Sequence, residues 1–360
     1  MKAAMFGVAI ALAAMAVADQ RPNFVIVLVD DMGWTDVGAF GSTYYETPNI
    51  DALAKGGMKF TQGYATSAVC SPTRASLMTG KSPWKTGVTD WIRGLDGAIW
   101  TEEQVRNEPG WNGGANRRLL TPRNPRWVEH SEITIAELLK GAGYATGFVG
   151  KWHLGPKGWW PEDQGFDFNA GGNAFGQPPH YFDPYPAKHQ PITFPNLDPR
   201  RGGEYLTDRE ADEAAGFLRR NKGNPFLLVL SHYAVHSPIQ AKQDLIDKYE
   251  AKPNDSKQNF PPYAAMVESV DDAMGTLVST LKEIGEYENT LIVFTSDNGG
   301  AVHFRATDNS PLKKGKGFAY EGGIREPYIF HWPGQIASGT TSEQPIITTD
   351  IFPTLSLIHI

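Results

Sequence analysis

The chain has 360 residues, 41% of them hydrophobic and 20% charged, an ordinary globular composition with ample material for a buried core. A formal charge of -7 argues against non-specific attraction to nucleic acid. A single cysteine, Cys70, excludes an internal disulfide framework.

The N-terminus reads as an export signal. Met1 and Lys2 precede an apolar run over 3–17, and Ala16-Val17-Ala18 offers the small residues a signal peptidase reads, so cleavage is expected after Ala18. The run is shorter than the roughly 20 residues that a spanning helix needs, and no later stretch is apolar enough. The mature protein is therefore expected in a periplasm or outside a cell, without stable membrane insertion. In that compartment an unpaired thiol calls for an explanation: Cys70 is either buried and inert or part of the chemistry.

The predicted elements alternate between strand and helix. Residues 24–29 form a β-branched apolar run, read as a buried strand, that ends at Asp30-Asp31. Thr47 as N-cap and Pro48 at the first helical position open a helix that stops at Gly56-Gly57. Pro72, suited to a first helical position, puts Cys70 at a helix N-terminus. Free N–H groups and the helix dipole favour an anion there, and Arg74 lies one turn on. Residues 88–130 lack periodicity and read as long loops, as do 155–195; both are suited to form walls of a cleft. Between them, Thr134 caps a helix ending near Gly141, and a strand over 145–149 runs into Lys151-Trp152-His153. A strand over 226–230 leads towards His236. The clearest helix covers 263–284, where Val267, Val270, Met274, Leu277, Leu281 and Ile284 recur at three- and four-residue steps. The last strand, 291–295, runs into Asp297-Asn298.

This alternation predicts an α/β sheet with helices on both faces, in which ligands collect beyond the carboxyl ends of the strands. Four such ends deliver polar or ionisable groups, and together they constitute a site. Asp30, Asp31, Asp297 and Asn298 offer hard oxygen ligands suited to Ca²⁺ or Mg²⁺. Asp-Asp after a strand is, taken alone, as readily a turn or a cap.

The segment Cys70-Ser71-Pro72-Thr73-Arg74, continuing to Thr79-Gly80, resembles the signature of the sulfatases. Asp30-Asp31, Gly150-Lys151-Trp152-His153-Leu154-Gly155, Ser296-Asp297-Asn298-Gly299-Gly300 and Gly315-Lys316-Gly317 with Tyr320-Glu321-Gly322-Gly323 look like further sulfatase blocks, in family order. The resemblance implies an alkaline-phosphatase-like fold, a mixed and mostly parallel sheet sandwiched by helices. Residues 21–360 would be the catalytic domain, with the family's smaller C-terminal subdomain missing or truncated.

The same resemblance implies that Cys70 is converted to Cα-formylglycine by a formylglycine-generating or sulfatase-maturating enzyme. It implies calcium held by Asp30, Asp31, Asp297, Asn298 and an oxygen of modified residue 70. Arg74, Lys151 and Lys316 would neutralise sulfate oxygens, His153 would manage a proton on residue 70, and His236 would protonate the leaving alcohol. His232 is a competitor for that last role, and Asn173 or His180 are candidates for a further sulfate contact.

The expected substrate is an extracellular sulfated carbohydrate, with Trp84, Trp91, Trp100, Trp111, Trp159 and Trp160 offering faces for sugar rings. A phosphate- or phosphonate-ester hydrolase is the second reading, disfavoured by the Cys-x-Pro-Thr-Arg segment. A non-catalytic glycan-binding or structural relative is the third, applicable if Cys70 remains a thiol.

Overall fold

Strands buried on both faces build two cores from one sheet. The computed structural model describes residues 21–93, 102–108, 110–112, 119–185, 194–197, 202–254 and 256–359. The expected export signal and Trp100 lie outside them. Among the described residues the main sheet has eight strands: β1 (Asn23–Val29), β2 (Met58–Phe60), β3 (Ala145–Gly150), β4 (Phe168–Ala170), β5 (Phe226–Ser231), β6 (Thr290–Ser296), β7 (Tyr328–His331) and β8 (Thr340–Ser342). Their order is β8-β2-β7-β6-β1-β5-β3-β4. From β6 to β4 every pairing is parallel, β7 runs antiparallel to both β6 and β2, and β8 is parallel to β2. The expected mixed, mostly parallel sheet is what forms.

The central strand β1 is buried along its whole length, as parallel strands covered on both faces are. Val25, Val27 and Val29 join Leu228, Leu230, Ile292 and Phe294 in one core. Against it pack α1 (Pro48–Gly56), α4 (Leu206–Arg220), α5 (Gln243–Ala251) and α6 (Pro261–Ile284). Phe24, Ile26 and Leu28 point the other way, into a core with Leu227, Val229 and Val293. That face is covered by α2 (Cys70–Thr79), α3 (Ile135–Gly141) and α7 (Ile351–Ile358). Every strand and helix read from periodicity is present at nearly its expected bounds.

Two helix starts show how local chemistry sets the ends. Thr134 caps α3 through a reciprocal box: its Oγ1 accepts from Glu137 N at 3.1 Å, and Glu137 Oε2 accepts from Thr134 N at 2.8 Å. Glu137→Ala leaves the Thr134 N–H without that acceptor, so unfolding monitored by circular dichroism in urea should report a loss of about 1 kcal/mol. The other start differs from expectation: α2 begins at Cys70 with Val69 as N-cap, so Pro72 is the third helical residue and not the first. No N–H in a first turn has an intrahelical acceptor, so proline is tolerated throughout it.

Candidate active site

The parallel run β6-β1-β5-β3 points four carboxyl ends to one edge, and the chain continues its pairing beyond the sheet there. Asp30 N donates to Ala234 O at 3.0 Å, Val235 N to Asp30 O at 2.8 Å, Lys151 N to Ser231 O at 2.7 Å and Asp297 N to Val29 O at 3.1 Å. Asp30, Asp31, Lys151, the 232–236 turn and Asp297 are thereby fixed by backbone before any side chain is considered. Gly150 takes φ 94°, and a Cβ there would lie 2.0 Å from Ser231 O, so only glycine allows β3 and β5 to close up beside Lys151. Asp31 and His153 occupy the left-handed region at φ 61° and 60°, a local strain that recurs at functional positions.

Helix α2 enters this edge with its N-terminus, and all of its residues are buried. Cys70 brings Sγ into a group with Asp30 and Asp297 whose ligand atoms lie within 4.8 Å of one another. Arg74, one turn on, is 2% exposed. Its Nε donates to Asp297 Oδ2 at 2.7 Å, and its Nη1 donates to Lys151 O and Ser231 Oγ, both at 2.6 Å. Arg74 therefore ties α2 to β3, β5 and β6. Neither Arg74 nor Lys151 lines the cavity, so both would act on a sulfate as buried charge beneath it.

Formal charges balance. Lys151 Nζ donates to Asp30 Oδ2, Lys316 Nζ to Asp31 Oδ2 at 2.7 Å, and Arg74 to Asp297. Asp30, however, is pushed well above the carboxylate range by burial and by Asp297, against the pull of Lys151. Clustered buried carboxylates of this kind are what a divalent cation relieves. Two buried oxygens here have no hydrogen-bond partner, Asp30 Oδ1 and Asn298 Oδ1. Asn298 Nδ2 meanwhile donates to Asp31 Oδ1 at 2.7 Å, linking the two strand ends. Unpartnered hard oxygens on Asp30 and Asn298, with Asp31 and Asp297 beside them, fit calcium or magnesium by donor chemistry.

The two expected histidines are in the site. His153 Nε2 lies 2.6 Å from Ile92 O; a carbonyl only accepts, so this nitrogen carries the hydrogen and Nδ1 is left as a buried, unpartnered acceptor. Burial, followed by the charges of Lys151 and Arg74, holds His153 neutral. His236 Nε2 stands 3.6 Å from Asp31 Oδ2, the oxygen that also receives Lys316. Burial lowers His236 to about 4, opposed by Asp31 and reinforced by Lys316. Lys316 itself stays charged: burial works against the cation, but Asp31 more than offsets it. The Cys70 thiol is raised by burial even though Lys151 and Lys316 pull the other way, so residue 70 as a cysteine holds its proton.

Cys70, His153, His236 and Lys316 open into one cavity of about 610 Å³. Several other expectations fall outside it. His232 is fully buried, with Nδ1 2.6 Å from Glu210 Oε2, and does not line the cavity, so it does not compete as the proton donor. Asn173 is buried as a loop brace, its Oδ1 accepting from Phe175 N at 2.8 Å, and His180 is exposed; neither lines the cavity. Of the described tryptophan side chains, only Trp91 does. Trp159 stacks on Trp127 at 4.4 Å, Trp160 is buried, Trp84 is 74% exposed elsewhere, and the Trp111 side chain is outside the described part. Sequence reasoning missed Arg93, Phe175, Gln177 and His303 on the cavity walls. Loops carry no periodicity that would show which side chains turn inward; the signal was the cleft-wall reading of 88–130 for Arg93 and of 155–195 for Phe175 and Gln177.

Comparison with known proteins agrees with this geometry. The family model described as Sulfatase matches residues 22–357. The N-acetylgalactosamine-6-sulfatase of Sus scrofa is 34% identical over 94% of this chain and 62% of its own length. Human arylsulfatase A is 31% identical over 97% of this chain and 66% of its own length. The crystal structure of Ps i-CgsB in complex with k-i-k-neocarrahexaose is 33% identical with a TM-score of 0.76, covering 94% of this chain and 72% of that one. The chain thus spans about 62% of the length of the N-acetylgalactosamine-6-sulfatases it matches. No described helix is long and apolar enough to cross a membrane. With a family match across 22–357 and a fold shared with these structures, the chain belongs to the sulfatase family.

Proposed function

We propose that the protein hydrolyses sulfate monoesters on an extracellular sulfated carbohydrate, with a nucleophile made from Cys70 and a bound calcium ion. The observation that carries the reading is the position of Cys70. It lies at a helix N-terminus, inside a group of carboxylates and cations, beside a neutral histidine with a free acceptor nitrogen. A thiol held protonated by burial is a poor nucleophile, so this reading requires that a maturating enzyme convert Cys70 to formylglycine. The hydrated aldehyde supplies two hydroxyls on one carbon, one to attack sulfur and one to expel sulfate afterwards. Calcium at Asp30, Asp31, Asp297 and Asn298 supplies positive charge for the sulfate oxygens.

The chain's own residues divide the remaining work. Lys151 and Lys316 add positive charge around the sulfate, and Arg74 fixes Asp297 and the Lys151 backbone in register with α2. His153 Nδ1 takes the proton from residue 70, its ring held by the Ile92 carbonyl. The leaving alcohol draws its proton from the pair formed by His236 and Lys316 around Asp31 Oδ2. The negative charge of an arriving sulfate ester works against the depression of His236. Export, with cleavage near Ala18, delivers the enzyme to such a substrate.

The test is release of inorganic sulfate from sulfated galactose and N-acetylgalactosamine sugars by protein coexpressed with a maturating enzyme, against phosphate monoesters of the same sugars. Sulfate release with kcat/KM at least about tenfold above that for phosphate is expected. Preference for the phosphate esters would replace this reading with phosphoester hydrolysis. Activity confined to aryl sulfates would remove the carbohydrate part.

A further inference from the structure

The cavity over residue 70 is larger than a sulfate group requires, and among the described residues no carboxylate lines it. Its floor supplies the reacting groups. One wall is the segment 89–93, hydrogen-bonded at both ends. Thr89 N and Asp90 N donate to Asn124 Oδ1 at 2.9 and 3.0 Å, and Asn124 Nδ2 donates to Asp90 O and Trp91 O at 2.9 and 3.2 Å. Further on, Ile92 N donates to Ser71 Oγ at 2.9 Å, Ser71 Oγ donates to His153 O at 3.1 Å, and Ile92 O receives the His153 ring. Ile92 is 1% exposed, while Trp91 and Arg93 on either side of it are exposed and line the cavity. The wall is therefore bolted to the residue after Cys70 and to the candidate base, so its side chains keep a set relation to the reacting centre.

Arg93 differs from the other cations around the centre. Arg74, Lys151 and Lys316 each pair with a carboxylate of the site. Among the described residues no carboxylate pairs with Arg93; its guanidinium lies 5.6 Å from the centroid of the Trp91 ring. Stacking engages the face of a guanidinium and leaves the in-plane N–H groups free, the edge that grips a carboxylate or sulfate with two hydrogen bonds. The acid nearest in sequence, Asp90, accepts from Trp91 N at 2.8 Å and lines a neighbouring cavity instead.

We propose that Arg93, braced on Trp91, binds a second anionic group of the substrate, a carboxylate or a further sulfate on the same or the adjoining sugar. Trp91 and Phe175 supply apolar faces for the ring that carries it. The preferred substrate is then a doubly anionic saccharide. The inference rests on the sulfate-ester reading for the identity of the reacting group alone.

Binding and turnover test it separately. Full-length Cys70→Ala protein is titrated calorimetrically with three galactose disaccharides: one with a single sulfate, one with two sulfates, and one with a sulfate and a uronic acid carboxylate. At least one doubly anionic probe should bind about tenfold more tightly than the monosulfated one, and the probe that does so identifies the second anion. Adding Arg93→Ala should shrink that ratio to within about twofold, with Arg93→Lys intermediate because an ammonium lacks the planar fork. The kcat/KM ratios of the matured enzyme, with and without the Arg93 substitutions, should follow the same pattern. A ratio that survives Arg93→Ala, or the absence of any ratio with Arg93 present, overturns the proposal. Preserved discrimination in binding without any sulfate release would sustain the subsite and sink the hydrolytic reading; release without discrimination would do the reverse.

Discussion

Replacing Cys70 by alanine is expected to lower kcat for sulfate-ester hydrolysis by at least about 10⁴-fold, the scale on which enzymes lose rate when the nucleophile itself is removed. Stability should change by no more than about 1 kcal/mol, because the substitution is small and opens no charged group to an apolar environment. Cys70 is 4% exposed, and its neighbours Asp30, Asp297, Arg74 and Lys151 keep their pairings without it. Unmatured protein, in which residue 70 is still a thiol, should be as inactive as the alanine variant, since burial keeps that thiol protonated. Sulfate-release assays on wild-type, unmatured and Cys70→Ala protein, each with its thermal melt, decide the matter. An alanine variant retaining a tenth of wild-type turnover would remove residue 70 from the chemistry.

The frame of this site was legible because strand ends are legible. Runs such as 24–29 and 291–295 show their period and stop at Asp30-Asp31 and Asp297-Asn298, and topology does the rest by pairing β1 with β6 and β5. The sequence family pattern supplied Lys316, which sits in a turn rather than at a strand end. Side-chain direction was less accessible. Arg74 reads as a cation for sulfate, yet its Nε and Nη1 are taken by Asp297, Lys151 O and Ser231 Oγ, contacts made across 223, 77 and 157 residues of sequence. His232 and His236 look equivalent along the chain, but one turns inward to Glu210 on α4 and the other outward to the cavity. Arg93 carried no signal of its own, because its meaning depends on Ser71 and His153 holding Ile92.

The largest effect on stability should come from Asp297→Asn. Arg74 is almost wholly enclosed, and its Nε meets Asp297 Oδ2 at 2.7 Å. Its remaining contacts, Lys151 O and Ser231 Oγ, are dipoles, while Asp30 Oδ1 is 3.9 Å from Nη2. Neutralising Asp297 leaves a buried guanidinium without its ion pair, a change that costs about 3–5 kcal/mol. The measurement is urea unfolding in a chelating buffer, where metal binding contributes nothing to either protein. Adding calcium should then stabilise the wild type by several degrees in Tm and the variant far less, because an oxygen ligand has lost its charge. A variant as stable as wild type in chelator would show that Arg74 is held by its carbonyl and hydroxyl partners alone. The charge arithmetic gives the same carboxylate its part in function. Three carboxylates against Arg74, Lys151 and Lys316 leave the site formally neutral, so a bound divalent ion would make it positive. A positive, enclosed site favours an arriving sulfate ester over water.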